Sequence, residues 1–259
     1  MNFQNIGSPV VKRAIVPKRG SFSMFDYGQI EPRLTAYFAE KIGFPEFADQ
    51  IRAGVDCYTA VAYLVTGKDK VSAEERETWK RAYLSLLYGG GVRTIQEQFV
   101  ISQAEARKMI KTFHANWPAV RKLQDKTIAV ATRRGFITTP WGRQLHPEPY
   151  GEHKLLNKLI QGSAADLMKA SLIRVDKMLS DSILSSRMVS VIHDEIIFDG
   201  PEDEIDWLHS GVPPCMREDW LHDVIPIEID HEVSTTSWAE KLSYDEWQTA
   251  RKEQLVGNS

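Results

Sequence analysis

Two acidic stations lie far apart in the 259-residue chain. Asp26 closes an apolar run in Phe25-Asp26-Tyr27, and His193-Asp194-Glu195 interrupts the apolar stretch from Val191 to Ile197. A carboxylate at the end of an apolar strand is unfavourable unless it is solvated, paired or bound to a cation, so Asp26 is a candidate metal ligand. Alone it reads equally as a helix N-cap, and His193-Asp194-Glu195 alone reads as a solvated turn. Together, two strand-end aspartates can hold two magnesium ions. That arrangement stabilises the attacking and leaving oxygens of an in-line phosphoryl displacement.

Two further groupings carry polar chemistry at helical spacing. Within Glu75 to Gly91, Arg76, Lys80, Leu84 and Tyr88 recur every four residues, so two cations precede an aromatic on one broad face. Such a face can grip a triphosphate and stack a base or ribose; the plainer alternative is an amphipathic core helix with solvated charges. In Leu155 to Asp166, Asn157 and Gln161 lie one turn apart. Their amides suit base edges and sugars in a minor groove, although solvent-facing amides are the commoner cause of such a pair.

The elements that must position these residues alternate in period. Residues 10–16 (VVKRAIV) and 22–26 read as strands, and Gln29 to Ala39 as a helix. From about residue 45 to 130 the chain reads as helices, with Gly89-Gly90-Gly91 as a stop. Residues 135–147 read as a hairpin, Leu155 to Leu179 as a long helix, Ser186 to Gly200 as strand, turn, strand, and Ile225 to Val233 as the last strand. Strands from both ends bracket a helical middle, which predicts an α+β fold.

Composition narrows the function classes. A net charge of −3 argues against bulk electrostatic coating of nucleic acid. Basic residues nevertheless gather in Lys12 to Arg19, Lys68 to Arg81 and Lys122 to Arg134, which suits one phosphate-facing side. Each cluster taken singly reads as a solvated helix face. Cys57 and Cys215 are too few for a disulfide framework and lack zinc-ligand neighbours. With no apolar run of membrane-spanning length and no signal peptide, the expectation is a soluble protein of a reducing compartment.

In their order these motifs resemble the DNA polymerase I family, family A. Its motif Asp-Tyr-Ser-Gln-Ile-Glu-Leu-Arg is matched by Asp26, Tyr27, Gln29, Ile30, Glu31 and Arg33, with Gly28 and Pro32 differing. Its Arg, Lys, Tyr-Gly helix motif is matched by Arg76, Lys80, Tyr88 and Gly89, and its His-Asp-Glu motif by His193, Asp194 and Glu195. Asn157 and Gln161 match the Asn and Gln before its Gly-Thr-Ala-Ala-Asp, and the resemblance runs from about Asn2 to about Trp238.

The resemblance implies an antiparallel palm sheet with a large helical fingers insertion and the thumb absent. Palm would be residues 1–42 and 133–240, fingers 43–132, and residues 241–259 a separate helical tail. It implies template-directed DNA synthesis, with Asp26 and Asp194 binding two Mg2+ ions and Mn2+ able to substitute. Lys80 and Arg76 would contact the incoming triphosphate, and Tyr88 would flank the nascent base pair. Glu31 would exclude a ribose 2′-hydroxyl, with Gln29 and Leu84 completing the nucleotide pocket. His193 and Glu195 would support the primer end and metal site, while Asn157, Gln161, Arg33 and Arg143 would contact DNA. The partners implied are primer-template DNA and dNTPs, in the cytoplasm of a bacterium or phage-infected host.

The chain also departs from the family. Leu84 replaces an aromatic, with Tyr83 one position early; Tyr58 stands where many members have a phosphate-contacting His; His153 stands near an expected Arg. The family's thumb, Arg-Leu-Ser-Ser motif and exonuclease lie upstream of Met1, so a split polymerase, with the thumb and perhaps an exonuclease on another polypeptide, is expected. A laboratory fragment or truncated relic is the competing explanation. Two other functions remain: a non-catalytic DNA-binding or assembly subunit, and a relative of single-subunit RNA polymerases, against which Glu31 and Glu195 argue.

Overall fold

The structure is a computed structural model that describes residues 6, 8–68, 70–149 and 151–257. In chain order its elements are α1 (Pro9–Arg13), β1 (Ser21–Gly28), α2 (Ile30–Lys41), α3 (Glu46–Arg52), α4 (Cys57–Thr66), α5 (Ala73–Leu87), α6 (Val92–Phe99), α7 (Gln103–Asn116) and α8 (Pro118–Arg134). There follow β2 (Ile137–Thr138), β3 (Gln144–Leu145), α9 (Leu155–Ser180), β4 (Arg187–Ile192), β5 (Glu195–Gly200), α10 (Ile205–Met216), α11 (Asp219–His222), β6 (Glu228–Ser234), β7 (Leu242–Ser243) and α12 (Tyr244–Gly257). The fold is α+β. Contacts divide the chain into two units, the first comprising residues 1–28, 167–222 and 227–259, the second 29–166 and 223–226.

The first unit is built on an antiparallel five-stranded sheet in the order β4-β5-β1-β6-β7. Strand β1 lies at its centre, with Phe25 paired to Ile196 on one side and His231 on the other. Successive side chains on a strand point to opposite faces. One face of β1 therefore carries Phe25 and Tyr27. Phe25 meets Phe198 edge-on at 5.6 Å between ring centroids and stacks on His231 at 4.0 Å. The Tyr27 hydroxyl donates to the Met216 carbonyl at 2.6 Å and lies 2.6 Å from Ser171 Oγ. The other face gathers Phe22, Met24, Ile192, Ile197 and Trp238 into a second buried cluster.

Residues 10–16, expected as a strand, instead start a short helix. Pro9 occupies its first turn, where a missing N–H and a fixed φ favour a helix, and β1 already has β5 and β6 as its two neighbours. Of the last 19 residues, the described ones fold as β7 and α12 within the first unit. Trp247 of α12 packs with Ile205 and Val233. The Tyr244 ring stacks on His209 at 3.5 Å between centroids, and His209 Nδ1 meets His231 Nδ1 at 3.0 Å.

The second unit is helical apart from the β2–β3 hairpin. Helices α5 and α7 each begin with a capping box, Ser72 with Glu75 and Ser102 with Glu105, which satisfies backbone N–H groups that have no partner within the helix. Asp56 caps α4 by accepting the Thr59 N–H. After α5 the chain turns so tightly that a Cβ on Gly90 would lie 2.7 Å from the Ser85 carbonyl oxygen, so only glycine fits. Tyr58, Tyr83, Phe113 and Trp117 form an aromatic core, and Ala131, Ile137, Leu155 and Leu159 pack together elsewhere in the unit. No described helix is long and apolar enough to cross a membrane.

His231 supplies a pH test of the first unit. Burial, reinforced by the neighbouring His209, pushes its pKa down to about 3. The native state thus holds it neutral, while the unfolded chain takes up a proton below its ordinary pKa of about 6.5. Stability from this group is complete above that value and declines as pH falls toward 3. Denaturant midpoints at pH 7 and pH 4.5 should show the wild type losing on the order of 2 kcal/mol more than His231→Phe; equal losses would show that His231 does not carry the effect.

Candidate active site

The candidate carboxylates converge on one face of the first unit's sheet. Asp26 is paired in register with Glu195 on β5 and with Asp230 on β6, so three carboxylate residues lie side by side across the central strand. Cross-strand partners share a face, which is the face of Met24 and Ile197. Asp194 adjoins Glu195 in the two-residue turn between β4 and β5, where Ile192 pairs with Glu195. His193 takes the positive φ of 57° that such a turn requires, and its side chain is exposed. Asp26, Asp194 and Glu195 are all half-buried.

Like charges placed opposite one another in a sheet repel, so this row needs compensation. Part of it comes from Lys241, whose Nζ lies 2.6 Å from Glu195 Oε1 and 2.9 Å from Glu232 Oε2. Burial opposes the charged ammonium, but the two carboxylates outweigh burial and raise its pKa. Gly28 gives the row room: a Cβ there would lie 3.3 Å from Glu228 Cβ and 3.5 Å from Asp230 Oδ2.

Among the described residues, no three His, Cys, Asp or Glu side chains form a closed metal cluster. Magnesium does not need one, because it keeps several waters and takes one or two carboxylates together with substrate phosphate oxygens. Half-buried oxygen donors on adjoining strands, flanked by further negative charge, fit such an ion.

The second unit carries the other candidates. On α5, Arg76, Lys80 and Leu84 are half-buried, as is Tyr88 just beyond its end, while Ala82, Tyr83, Leu86 and Leu87 form the buried stripe. Tyr88 Oη makes no hydrogen bond among the described residues, and burial, then the charge of Glu31, raises its pKa. Burial, then Glu31, likewise raises the Tyr58 pKa, which places the carboxylate of α2 in the electrostatic neighbourhood of both hydroxyls. Gln29, in the left-handed conformation at φ 54°, precedes α2 and bonds to Asp56 through Nε2 at 3.1 Å. On α9, Asn157 is half-buried and Gln161 exposed. Arg143 is paired with Asp166 at 2.8 Å and donates to the Gly162 carbonyl. Arg33 is only 4% exposed and donates to the Pro226 carbonyl, so its side chain braces the interior of the unit.

Comparison with known proteins gives the family. The family model for DNA polymerase family A matches residues 1–240. The chain belongs to DNA polymerase family A. It is 30% identical over 257 residues to DNA polymerase I of Pseudomonas aeruginosa, covering 92% of this chain and 28% of that protein. For DNA polymerase I of Geobacillus stearothermophilus the identity is 28% over 240 residues, covering 87% and 27%. Among solved structures, the POL domain of Pol1 from M. smegmatis, in complex with DNA primer-template and dNTP, aligns with a TM-score of 0.79 at 27% identity. That match covers 92% of this chain and 44% of the other. The chain thus spans under three-tenths of the length of these curated relatives.

Within family A, the departures now have places. Tyr83 is fully buried, its ring edge-on to Tyr58 and Phe113 at 5.6 Å in each case, so it is a core residue and leaves Leu84 as the side chain on the half-exposed face. Tyr58 is 2% exposed, with Arg76 stacked 5.1 Å over its ring. The side chain of His153 and residues 2–5 lie outside the described residues. Sequence reasoning missed Asp230, Lys241 and Asp56. The alternation in Ile227 to Val233 was the available signal for Asp230, whereas Lys241 and Asp56 depend on long-range contacts that leave no local pattern.

Removing the Lys241 ammonium leaves Glu195 and Glu232 without their shared cation. Lys241→Met should therefore destabilise the protein by about 1–3 kcal/mol at neutral pH, measured by denaturant unfolding, with Lys241→Arg closer to wild type. An unchanged midpoint in the methionine variant would show that the pairing contributes nothing.

Proposed function

We propose that the chain carries the nucleotidyl-transfer centre of a DNA polymerase, adding deoxynucleotides to a primer 3′-hydroxyl as directed by a template. The observation that carries this reading is the pairing of Asp26 on the central strand with the Asp194-Glu195 hairpin, in a chain of family A. Asp26 and Asp194 are the residues that would hold two magnesium ions, for which manganese can substitute. When bound, those ions would polarise the phosphoryl group and offset charge on the attacking and leaving oxygens.

The chain's own residues do the rest. Half-buried carboxylates bound to rigid strands set the position of the reacting centre, and Lys241 holds Glu195 in place by an ion pair beside it. Arg76 and Lys80 supply positive charge along one face of α5 for the triphosphate, and Glu31 and Tyr88 are the residues for the nucleotide's sugar and base. Exposed Gln161, with Asn157 one turn earlier, suits the minor groove of the primer-template. Arg33 has no part in DNA contact on this reading, because it is buried. On this reading the protein works in the cytoplasm of a bacterium or a phage-infected host.

Primer extension tests the proposal. With magnesium and dNTPs, the full chain should extend a primed template, and Asp194→Ala should lower the rate at least about a hundredfold while retaining wild-type unfolding behaviour. Extension that appears only when a thumb-bearing polypeptide is added supports a split enzyme. Absence of extension under both conditions would sink the catalytic reading and favour a DNA-binding subunit.

A further inference from the structure

Arg76 is gripped from two sides within the second unit. Its Nε and Nη2 donate to Asp56 Oδ2 at 3.0 and 2.5 Å, and its guanidinium lies 5.1 Å from the centroid of the Tyr58 ring. Asp56 is itself anchored in two further ways. Its Oδ1 accepts the Thr59 N–H at 2.8 Å as the cap of α4. Its Oδ2 also accepts from Gln29 Nε2 at 3.1 Å, and Gln29 Oε1 in turn accepts the Cys57 N–H at 3.0 Å. Burial disfavours the ionised carboxylate, but the Thr59 N–H and Arg76 overcome it and lower the Asp56 pKa. Tyr58 is equally fixed, because its ring is 2% exposed and wedged against Tyr83.

The consequence lies in which edge of the guanidinium is used. The ion pair engages Nε and Nη2, so the two N–H groups of Nη1 take no part in it, and the Arg76 side chain retains 41% exposure. A planar guanidinium pinned along one edge and backed by an aromatic ring has lost most of its rotamer freedom. Donors already in place bind an anion without the cost of ordering a long side chain. We propose that Asp56 is a positioning residue: with Tyr58 behind the guanidinium, it presents the Nη1 edge of Arg76 to the triphosphate of the incoming nucleotide. This rests on the reading of Arg76 as a triphosphate contact. The motif position at which many family members place a phosphate-contacting histidine, Tyr58, then acts one step removed, through the arginine it supports.

An equilibrium titration of the full chain with a dNTP, using inorganic tripolyphosphate as competitor, tests this. Asp56→Asn keeps an oxygen to cap α4 while removing the charge that holds Arg76. It should weaken dNTP binding about tenfold and tripolyphosphate binding by a similar factor, which a disturbed base or sugar pocket would not do. The double variant Asp56→Asn with Arg76→Ala should bind no more weakly than Arg76→Ala alone. Tighter binding by Asp56→Asn would mean that Asp56 sequesters Arg76, and would overturn the proposal. Unchanged binding by Asp56→Asn, alongside weakened binding by Arg76→Ala, would overturn the positioning role alone. Unchanged binding by Arg76→Ala would remove the triphosphate reading of Arg76 and this inference with it.

Discussion

Three carboxylate residues stand in register across the middle of one sheet, Glu195, Asp26 and Asp230, and much of the first unit answers to that concentration of negative charge. Repulsion between like charges on neighbouring strands opposes folding, so the sheet needs an unusually firm support on its other face. Phe25, Phe198 and His231 provide it, stacked edge-on and face-on beneath the carboxylates. Lys241 reaches in from beyond β6 to neutralise two acids at once, and α12 holds the segment after it through Trp247. On the proposed function, such an unfavourable charge row is what a cation-dependent reaction on a polyanion would use.

The second unit solves a different problem, that of holding long cationic side chains in a definite orientation. Helix α5 is fixed at its start by a capping box and along its length by a buried stripe that includes Tyr83. Its opposite face is thereby left half-exposed, with Arg76, Lys80 and Leu84 along it. Asp56 then links the start of α2, the cap of α4 and the Arg76 guanidinium through one carboxylate. Buried networks of this kind are effective when their members are satisfied, and each oxygen of Asp56 has its donor.

Local sequence determined a good deal. Periodicity marked the helices from α4 to α9, the glycine stop after α5, the β4–β5 hairpin and the central strand, because each depends on neighbours within a few residues. Type and spacing singled out Asp26 and His193-Asp194-Glu195, and the order of four motifs identified family A. The reading of residues 10–16 as a strand failed because β-favouring side chains alone do not make a strand. The Pro9 start favours a helix there.

What only the tertiary structure decided were pairings across long separations. Nothing near Asp26 announces that Asp230 lies opposite it, or that Lys241 neutralises Glu195 from 46 residues away. The motif arginine Arg33 turned inward, Arg76 became tied to Asp56, and Tyr83 entered the core although it neighbours the position of the family's motif aromatic. Sequence sets which side chains share a face, since that follows from backbone period. Which faces meet is set by packing of the whole chain, and it is there that these charges acquire the partners that tune them.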